Sequence, residues 1–207
     1  MPTQFPEFFA AAPRITLYDP LAAFLGSAAD GLIEYRYSDA VRLAGHSCPT
    51  VAAAWLMTLH GLRALYGEAT PERGQITARL RETRDSGTTG VTASIVQLVT
   101  GAAAETGFHG IGPKRRFSRY QLLQFAAQNQ TAALSLTRRD TEQTVHLDLD
   151  TSCVPWPAEM QTLMPRAVSG QASPAEHQRF AELWQERVRQ MLIEHAEDAR
   201  LIHVSTA

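Results

Sequence analysis

The stretch Ala44-Gly45-His46-Ser47-Cys48-Pro49 leads directly into TVAAAWLMTLHGLRALY, residues 50–66. Gly45 is typical of the end of a short preceding helix. Pro49 suits the first turn of the next helix, where its missing N–H leaves no hydrogen bond unmade. The apolar run after Pro49 predicts one long helix. The polar turn that carries His46 and Cys48 is therefore expected at a helix N-terminus.

Strands and helices alternate irregularly on both sides of this predicted helix. Residues 32–37 predict a strand before it, and residues 76–81 alternate apolar and polar side chains after it, as a half-buried strand does. Residues 92–104 predict a further helix. Two alternating runs, residues 132–136 and 144–149, predict a β-hairpin. Helices and hairpins mixed in this way indicate an α+β fold.

Two helix starts are marked by capping residues. Asp19 and Pro20 predict a short helix through Leu25, with the Asp as N-cap and the Pro in the first turn. Ser173 and Glu176 form a capping-box pattern that opens the second of two C-terminal helices.

We therefore predict an α+β fold with a mixed or antiparallel sheet, packed helices and a C-terminal helical hairpin. We expect residues 1–30 to be an N-terminal extension packed on the core, residues 31–155 to form the core, and residues 156–207 to form a helical tail.

Composition excludes several classes of protein. The 207 residues are 44% hydrophobic and 19% charged, with a formal net charge of −2, so no basic field favours nucleic acid. No apolar run reaches the ~18 residues that a membrane helix needs. Two cysteines do not make a disulfide framework. The first thirteen residues hold no Lys or Arg, whereas a signal peptide begins with a basic region, so we expect a cytoplasmic protein.

The turn before the long helix is a candidate metal site. A thiolate at Cys48 and an imidazole at His46 can bind one borderline metal ion such as zinc. The helix N-terminus favours the thiolate through its positive dipole end. The residues alone leave a second interpretation open, in which a buried Cys and a hydrogen-bonded His only close a structural turn.

Two further regions are candidates for binding an anion or a metal. Thr88 and Thr89 stand at another predicted helix entrance, where backbone N–H groups can hold an anion, although simple capping explains them equally. Lys114 and Arg115 belong to the one dense basic cluster, which either binds an anionic ligand or is a solvated face. His109 lies between glycines, which allow close backbone approach to a ligand.

The segment Gly45–Pro49 resembles the G-H-x-C-P signature of the FmdE-like family, which takes its name from formylmethanofuran dehydrogenase. Residues 89–95 and 99–101 are similar to that family's C-G-V-D-A-I and L-T-G stretches. The predicted hairpin at 133–150 and the tail at 158–192 also look like the family's, so the resemblance extends from about residue 30 to residue 192.

The resemblance implies a fold related to the C-terminal domain of glyceraldehyde-3-phosphate dehydrogenase, and usually a homodimer. It also implies Zn²⁺, or another divalent transition metal, at His46 and Cys48, with His109 or alternatively His60 as the third ligand. Some positions depart from the family: Thr89 and Ala102 replace cysteines, Thr92 replaces an aspartate, and the C-terminal zinc ribbon of some relatives is missing.

We therefore expect an FmdE-like domain that binds metal at the His46-x-Cys48 turn and a small anion at Thr88, Thr89, Lys114 and Arg115. Whether it is an enzyme stays open, and no residue is assigned as catalytic. One alternative is a non-enzymatic accessory protein that carries metal or binds a partner metalloenzyme. Another is a metal-free domain that binds small anions.

Overall fold

The computed structural model describes residues 4–206 and contains seven α-helices and seven strands in that range. The helices are α1 (Phe8–Ala11), α2 (Pro20–Leu25), α3 (Tyr37–Ala44), α4 (Pro49–Tyr66), α5 (Thr89–Thr100), α6 (Met160–Val168) and α7 (Pro174–Arg189). The strands are β1 (Ile15–Tyr18), β2 (Leu32–Tyr35), β3 (Ile76–Leu80), β4 (Leu123–Gln124), β5 (Leu134–Arg138), β6 (Thr144–Leu149) and β7 (Ile202–Thr206). A 3₁₀ turn at Thr151–Cys153 and a π turn at Gln190–Glu194 complete the described elements.

The strands form two sheets. β1 and β2 pair antiparallel in a small ribbon, and the other five pair in the order β4-β3-β5-β6-β7. Within the larger sheet only β3 and β4 run parallel. The α+β fold with a mixed, mainly antiparallel sheet is therefore confirmed.

α4 is the centre of the core. Its residues from Val51 to Leu59 are all buried, and so are Gly61, Leu62 and Leu65 further along. A helix that is apolar on every side must be covered on every side. β5, β6 and β7 pack on it from the sheet, and α3, α5 and α7 pack on it from other directions.

Gly61 shows how closely α4 approaches the sheet. A Cβ atom at this position would lie 2.6 Å from Leu136 Cδ1 and 3.1 Å from Leu147 Cδ1. Leu136 lies on β5 and Leu147 on β6, and both side chains are fully buried. The missing side chain of Gly61 therefore allows the helix to rest on the hairpin.

The structure differs from the sequence-based prediction at several element ends. α5 begins at Thr89 rather than Thr92 and ends at Gly101, whose φ of 72° is left-handed and stops the helix. β1 and β7 were not predicted, because each is short and is held by pairing with a strand distant in sequence.

The domain boundaries at residues 30 and 155 stay a prediction. The expected extension, residues 1–30, contains β1, which pairs with β2 of the expected core. The expected helical tail contains the helical pair α6 and α7 and also supplies β7 to the sheet. Residues 1–3 and Ala207 lie outside the described residues. No helix within residues 4–206 has the length and hydropathy of a membrane span.

A buried ion-pair network fastens α2 to two distant loops. The Asp19 carboxylate caps α2 by accepting from the backbone N–H groups of Leu21 and Ala22 at 2.9 and 3.2 Å. It also accepts from Arg73 Nη1 at 2.9 Å and Arg119 Nη2 at 2.8 Å. The side chains of Asp19 and Arg119 are 5% and 8% exposed. Each charge in this network therefore depends on the others for compensation.

We expect Asp19→Asn to lower the free energy of unfolding by about 3–5 kcal/mol, because it leaves two arginines without their carboxylate. Asparagine caps helices as well as aspartate does, so the loss isolates the charge. Urea unfolding followed by circular dichroism measures it. Glu105→Gln is the control, since it breaks only the exposed pair with Arg84 and should cost about 0–1 kcal/mol. Equal losses in the two variants would contradict the assignment.

The stabilisation from Asp19 should depend on pH. Burial raises the pKa of Asp19, but the Arg73 hydrogen bond, the Arg119 charge and the backbone N–H groups outweigh it and hold the pKa below its ordinary 3.8. The unfolded chain therefore takes up a proton at this carboxyl before the folded chain does, and stability is lost as pH falls. We expect the stability gap between wild type and Asp19→Asn to narrow below about pH 4. An identical gap at pH 7 and pH 3 would argue against it.

Candidate functional site

A cleft of roughly 350 Å³ opens where the N-terminal ends of α4 and α5 meet the end of β3. Pro49 and Thr50 of α4 line it on one side, and Thr88, Thr89 and Thr92 line it on another. Arg187 of α7 closes a third side. The volume falls in the range of small-molecule sites.

Both helices end at the cleft with unpaired backbone donors. The N–H groups of Thr50 and Val51 in α4, and of Gly90 in α5, find no acceptor in the described residues. The first turns of helices carry such free N–H groups and the positive end of the helix dipole. The cleft is therefore favourable for negative charge.

Arg187 brings a formal positive charge to this cleft. The residue is 8% exposed, its Nε donates to the Val154 carbonyl at 2.8 Å, and its guanidinium lies 4.2 Å from the Trp156 ring centroid. Burial lowers the pKa of Arg187, and no other group offsets that effect. No carboxylate lies within 4.0 Å of it in the described chain. Arginine nevertheless stays protonated in proteins, so the cation is buried without a counter-charge.

The other charged side chains of the cleft neutralise each other. Arg81 Nε donates to Glu82 Oε1 at 2.9 Å, and both side chains are about half exposed. Arg81 Nη1 also donates to the Thr131 carbonyl at 3.0 Å. The net charge of the cleft walls is therefore set by Arg187.

The turn before α4 lies next to the cleft in sequence. Cys48 is buried and is the N-cap of α4, but its side chain caps no backbone N–H. His46 is exposed, and its Nδ1 lies 3.0 Å from the Ala44 carbonyl. The Ser47 carbonyl between them accepts from Trp184 Nε1 at 3.2 Å and Gln185 Nε2 at 3.1 Å, so α7 holds the turn.

The proposed third ligands lie apart from this turn. His109 is exposed and stacks on Tyr120 with ring centroids 4.2 Å apart. His60 Nε2 lies 2.6 Å from the Ala196 carbonyl, which occupies that ring nitrogen. His46, Cys48 and His109 do not come together as three ligand atoms within 4.8 Å of one another. The assignment of these three residues to one metal site stays a prediction.

The structure separates the four residues expected to bind an anion. Thr88 and Thr89 line the cleft, with Thr88 exposed and Thr89 buried. Arg115 instead lines a different cavity of about 390 Å³, together with Arg116 and Arg139. Lys114 is exposed on the same loop. The expected anion site is therefore divided between two places on the molecule.

A metal-ligand cluster that the sequence did not predict lies elsewhere. Cys153, His195 and Asp198 place one ligand atom each within 4.8 Å of one another, and within residues 4–206 no other such group of three is present. His195 Nδ1 lies 2.9 Å from Asp198 Oδ2. The chain therefore contains a group that could hold a metal ion.

Only one of these missed features had a sequence signal. Arg187 lies four residues after Leu183 and three after Trp184, so it falls on the apolar face of α7, and an arginine on such a face indicates a buried charge. Cys153 and His195 were interpreted as a packing residue and a surface residue. Their proximity depends on the tertiary fold, and no local pattern announces it.

Comparison with known proteins gives one family and one similar solved structure. A family model described as FmdE, molybdenum formylmethanofuran dehydrogenase operon, matches residues 43–199. The crystal structure of a tungsten formylmethanofuran dehydrogenase FmdE-like protein from Syntrophus aciditrophicus is 17% identical, with a TM-score of 0.38. That similarity covers 84% of this chain and 72% of the other. No curated protein matches significantly.

Proposed function

The chain belongs to the FmdE family, and from that premise we propose that it binds a small anionic molecule in the cleft between α4 and α5. The observation that carries the proposal is Arg187, a buried cation on the cleft wall without a carboxylate partner in the described residues. Leaving a charge buried and unpaired is costly, and an anionic ligand removes that cost.

The chemistry of the other cleft residues supports the same class of ligand. Thr88, Thr89 and Thr92 offer hydroxyl groups, and the two helix N-termini offer backbone N–H groups. A guanidinium recognises a carboxylate or a phosphate through paired hydrogen bonds. We therefore propose a small carboxylate or phosphate ester, with Arg187 as its charged anchor and α4 and α5 orienting its oxygens.

We expect Arg187→Met to weaken binding of inorganic phosphate at least tenfold, about 1.4 kcal/mol. The substitution removes the cation and keeps an unbranched apolar side chain for packing on Trp156. Isothermal titration calorimetry at low ionic strength measures the affinity.

Arg189→Met is the matched control on the same helix. Arg189 pairs with Glu186 at 2.7 Å and does not line the cleft, so its loss should leave phosphate affinity unchanged. If Arg187→Met folds normally by circular dichroism and binds phosphate as the wild type does, the anion proposal fails.

Zinc binding at the His46-x-Cys48 turn is a second candidate function. The hydrogen bond between His46 Nδ1 and the Ala44 carbonyl supports it, because metal-bound histidines usually donate their second ring nitrogen to such an acceptor. His46 Nε2 and the Cys48 thiolate would then supply two ligands. Bound zinc supplies a Lewis acid at the end of α4.

Zinc content per chain, measured by plasma mass spectrometry after dialysis, tests this candidate. We expect Cys48→Ser and His46→Ala each to lose about one zinc equivalent relative to wild type, because two ligands alone hold the ion and neither suffices. Cys153→Ser, at the other cysteine, should retain the zinc bound at the turn. Wild-type zinc content in both turn variants would rule the site out.

We propose a cytoplasmic homodimer, as the family resemblance implies. Light scattering of the purified chain should then give twice the chain mass of 22.8 kDa. A mass equal to one chain would contradict the dimer.

A further inference from the structure

Three segments that are distant in sequence converge beside the cleft. Cys153 ends the 3₁₀ turn that follows β6, His195 follows the π turn after α7, and Asp198 precedes β7. Their ligand atoms all lie within 4.8 Å of one another. We propose that Cys153, His195 and Asp198 bind one divalent transition metal ion of the zinc class, at a site separate from the cleft and from the His46-x-Cys48 turn.

The ligand types suit this class of metal. Zn²⁺ takes thiolate, imidazole and carboxylate ligands with bonds of about 2.0–2.3 Å, which places neighbouring ligand atoms of a tetrahedral site roughly 3.3–3.8 Å apart. The three atoms here need to move by no more than about an ångström to reach those distances. Three protein ligands leave a fourth position for water.

The surrounding hydrogen bonds hold the ligands in place. The His195 backbone N–H donates to the Gln190 carbonyl at 2.9 Å, and the Asp198 backbone N–H donates to the His195 carbonyl at 3.1 Å. The Cys153 thiol lies 3.7 Å from the Asp150 carbonyl, to which it donates. The three ligand residues are half-buried, and the side chains of His195 and Asp198 are 23% and 18% exposed. A metal ion would therefore find its ligands largely positioned.

Metal binding requires two exchanges at the carboxylate. The hydrogen bond between His195 Nδ1 and Asp198 Oδ2 gives way to the ion, and its proton passes to solvent. Arg200 Nη2, 2.8 Å from Asp198 Oδ2, must also leave, and its side chain is 75% exposed and free to turn into water. The ion then takes over the charge compensation that Arg200 supplies.

The position in the fold indicates a structural role for this ion. Asp150 N–H donates to the Leu201 carbonyl at 3.0 Å, so the segment after β6 already pairs with the segment before β7. A metal bound by Cys153, His195 and Asp198 fastens the same two segments together. Thr151 lines the cleft and the Val154 carbonyl holds Arg187, so the fastened segment is also a cleft wall.

Cobalt(II) titration of the full-length Cys48→Ser variant tests the proposal, because Cys153 is then the one remaining cysteine. After removal of metal with EDTA, we expect one Co²⁺ per chain with a thiolate-to-cobalt charge-transfer band. Adding Cys153→Ser should abolish the band. Zinc should raise the Tm of the Cys48→Ser chain and leave the Tm of the double variant unchanged.

His195→Gln in the Cys48→Ser background provides a second variant that keeps the thiol. It should weaken Co²⁺ binding at least tenfold, whereas His177→Gln, at a histidine on α7 away from the cluster, should leave it unchanged. No charge-transfer band in the Cys48→Ser chain overturns the proposal. So does a band that survives Cys153→Ser, or equal affinities in the two histidine variants. None of these results depends on whether the cleft binds anions.

Discussion

The burial of α4 on all sides is the constraint on which the rest of the structure depends. A helix that exposes no polar face gains its stability only if other elements exclude water from every side, at about 1.5–3 kcal/mol for each large apolar side chain removed from water. The hairpin β5–β6 covers one side, with Gly61 allowing the close approach. α3, α5 and the C-terminal elements cover the others. The chain therefore folds around one helix.

This arrangement also decides where a ligand can bind. Side chains can cover the flanks of α4, but the free N–H groups of its first turn need polar partners. α5 begins beside the same end of α4, so two helix N-termini open on one cleft. The two buried arginines near the core differ in a way that matters for function. Arg119 is paired with Asp19, whereas Arg187 has no carboxylate partner in the described residues. A structural arginine carries its own counter-charge, and a ligand-binding arginine lacks one.

α7 connects the candidate sites. Trp184 and Gln185 hold the carbonyl of Ser47 in the His46-x-Cys48 turn, and Arg187 lines the cleft. The same helix continues through the π turn to His195 in the metal-ligand cluster. Small movements of α7 would thus act on all of these positions together. Its capping box at Ser173 and Glu176 fixes only the far end of the helix.

The sequence by itself determined the features that depend on near neighbours in the chain. The apolar run predicted α4, Asp19 predicted the start of α2, and Ser173 with Glu176 predicted the start of α7, and all three helices are confirmed. Helix periodicity and capping act over three or four residues, so a local pattern reveals them.

Tertiary structure alone decided which side chains meet. It added β7 to the sheet, separated Thr89 from Arg115, placed His109 on Tyr120 and brought Cys153 to His195. Each of these outcomes follows from how the chain packs around α4, and packing joins residues whose separation in sequence carries no information about their distance in space.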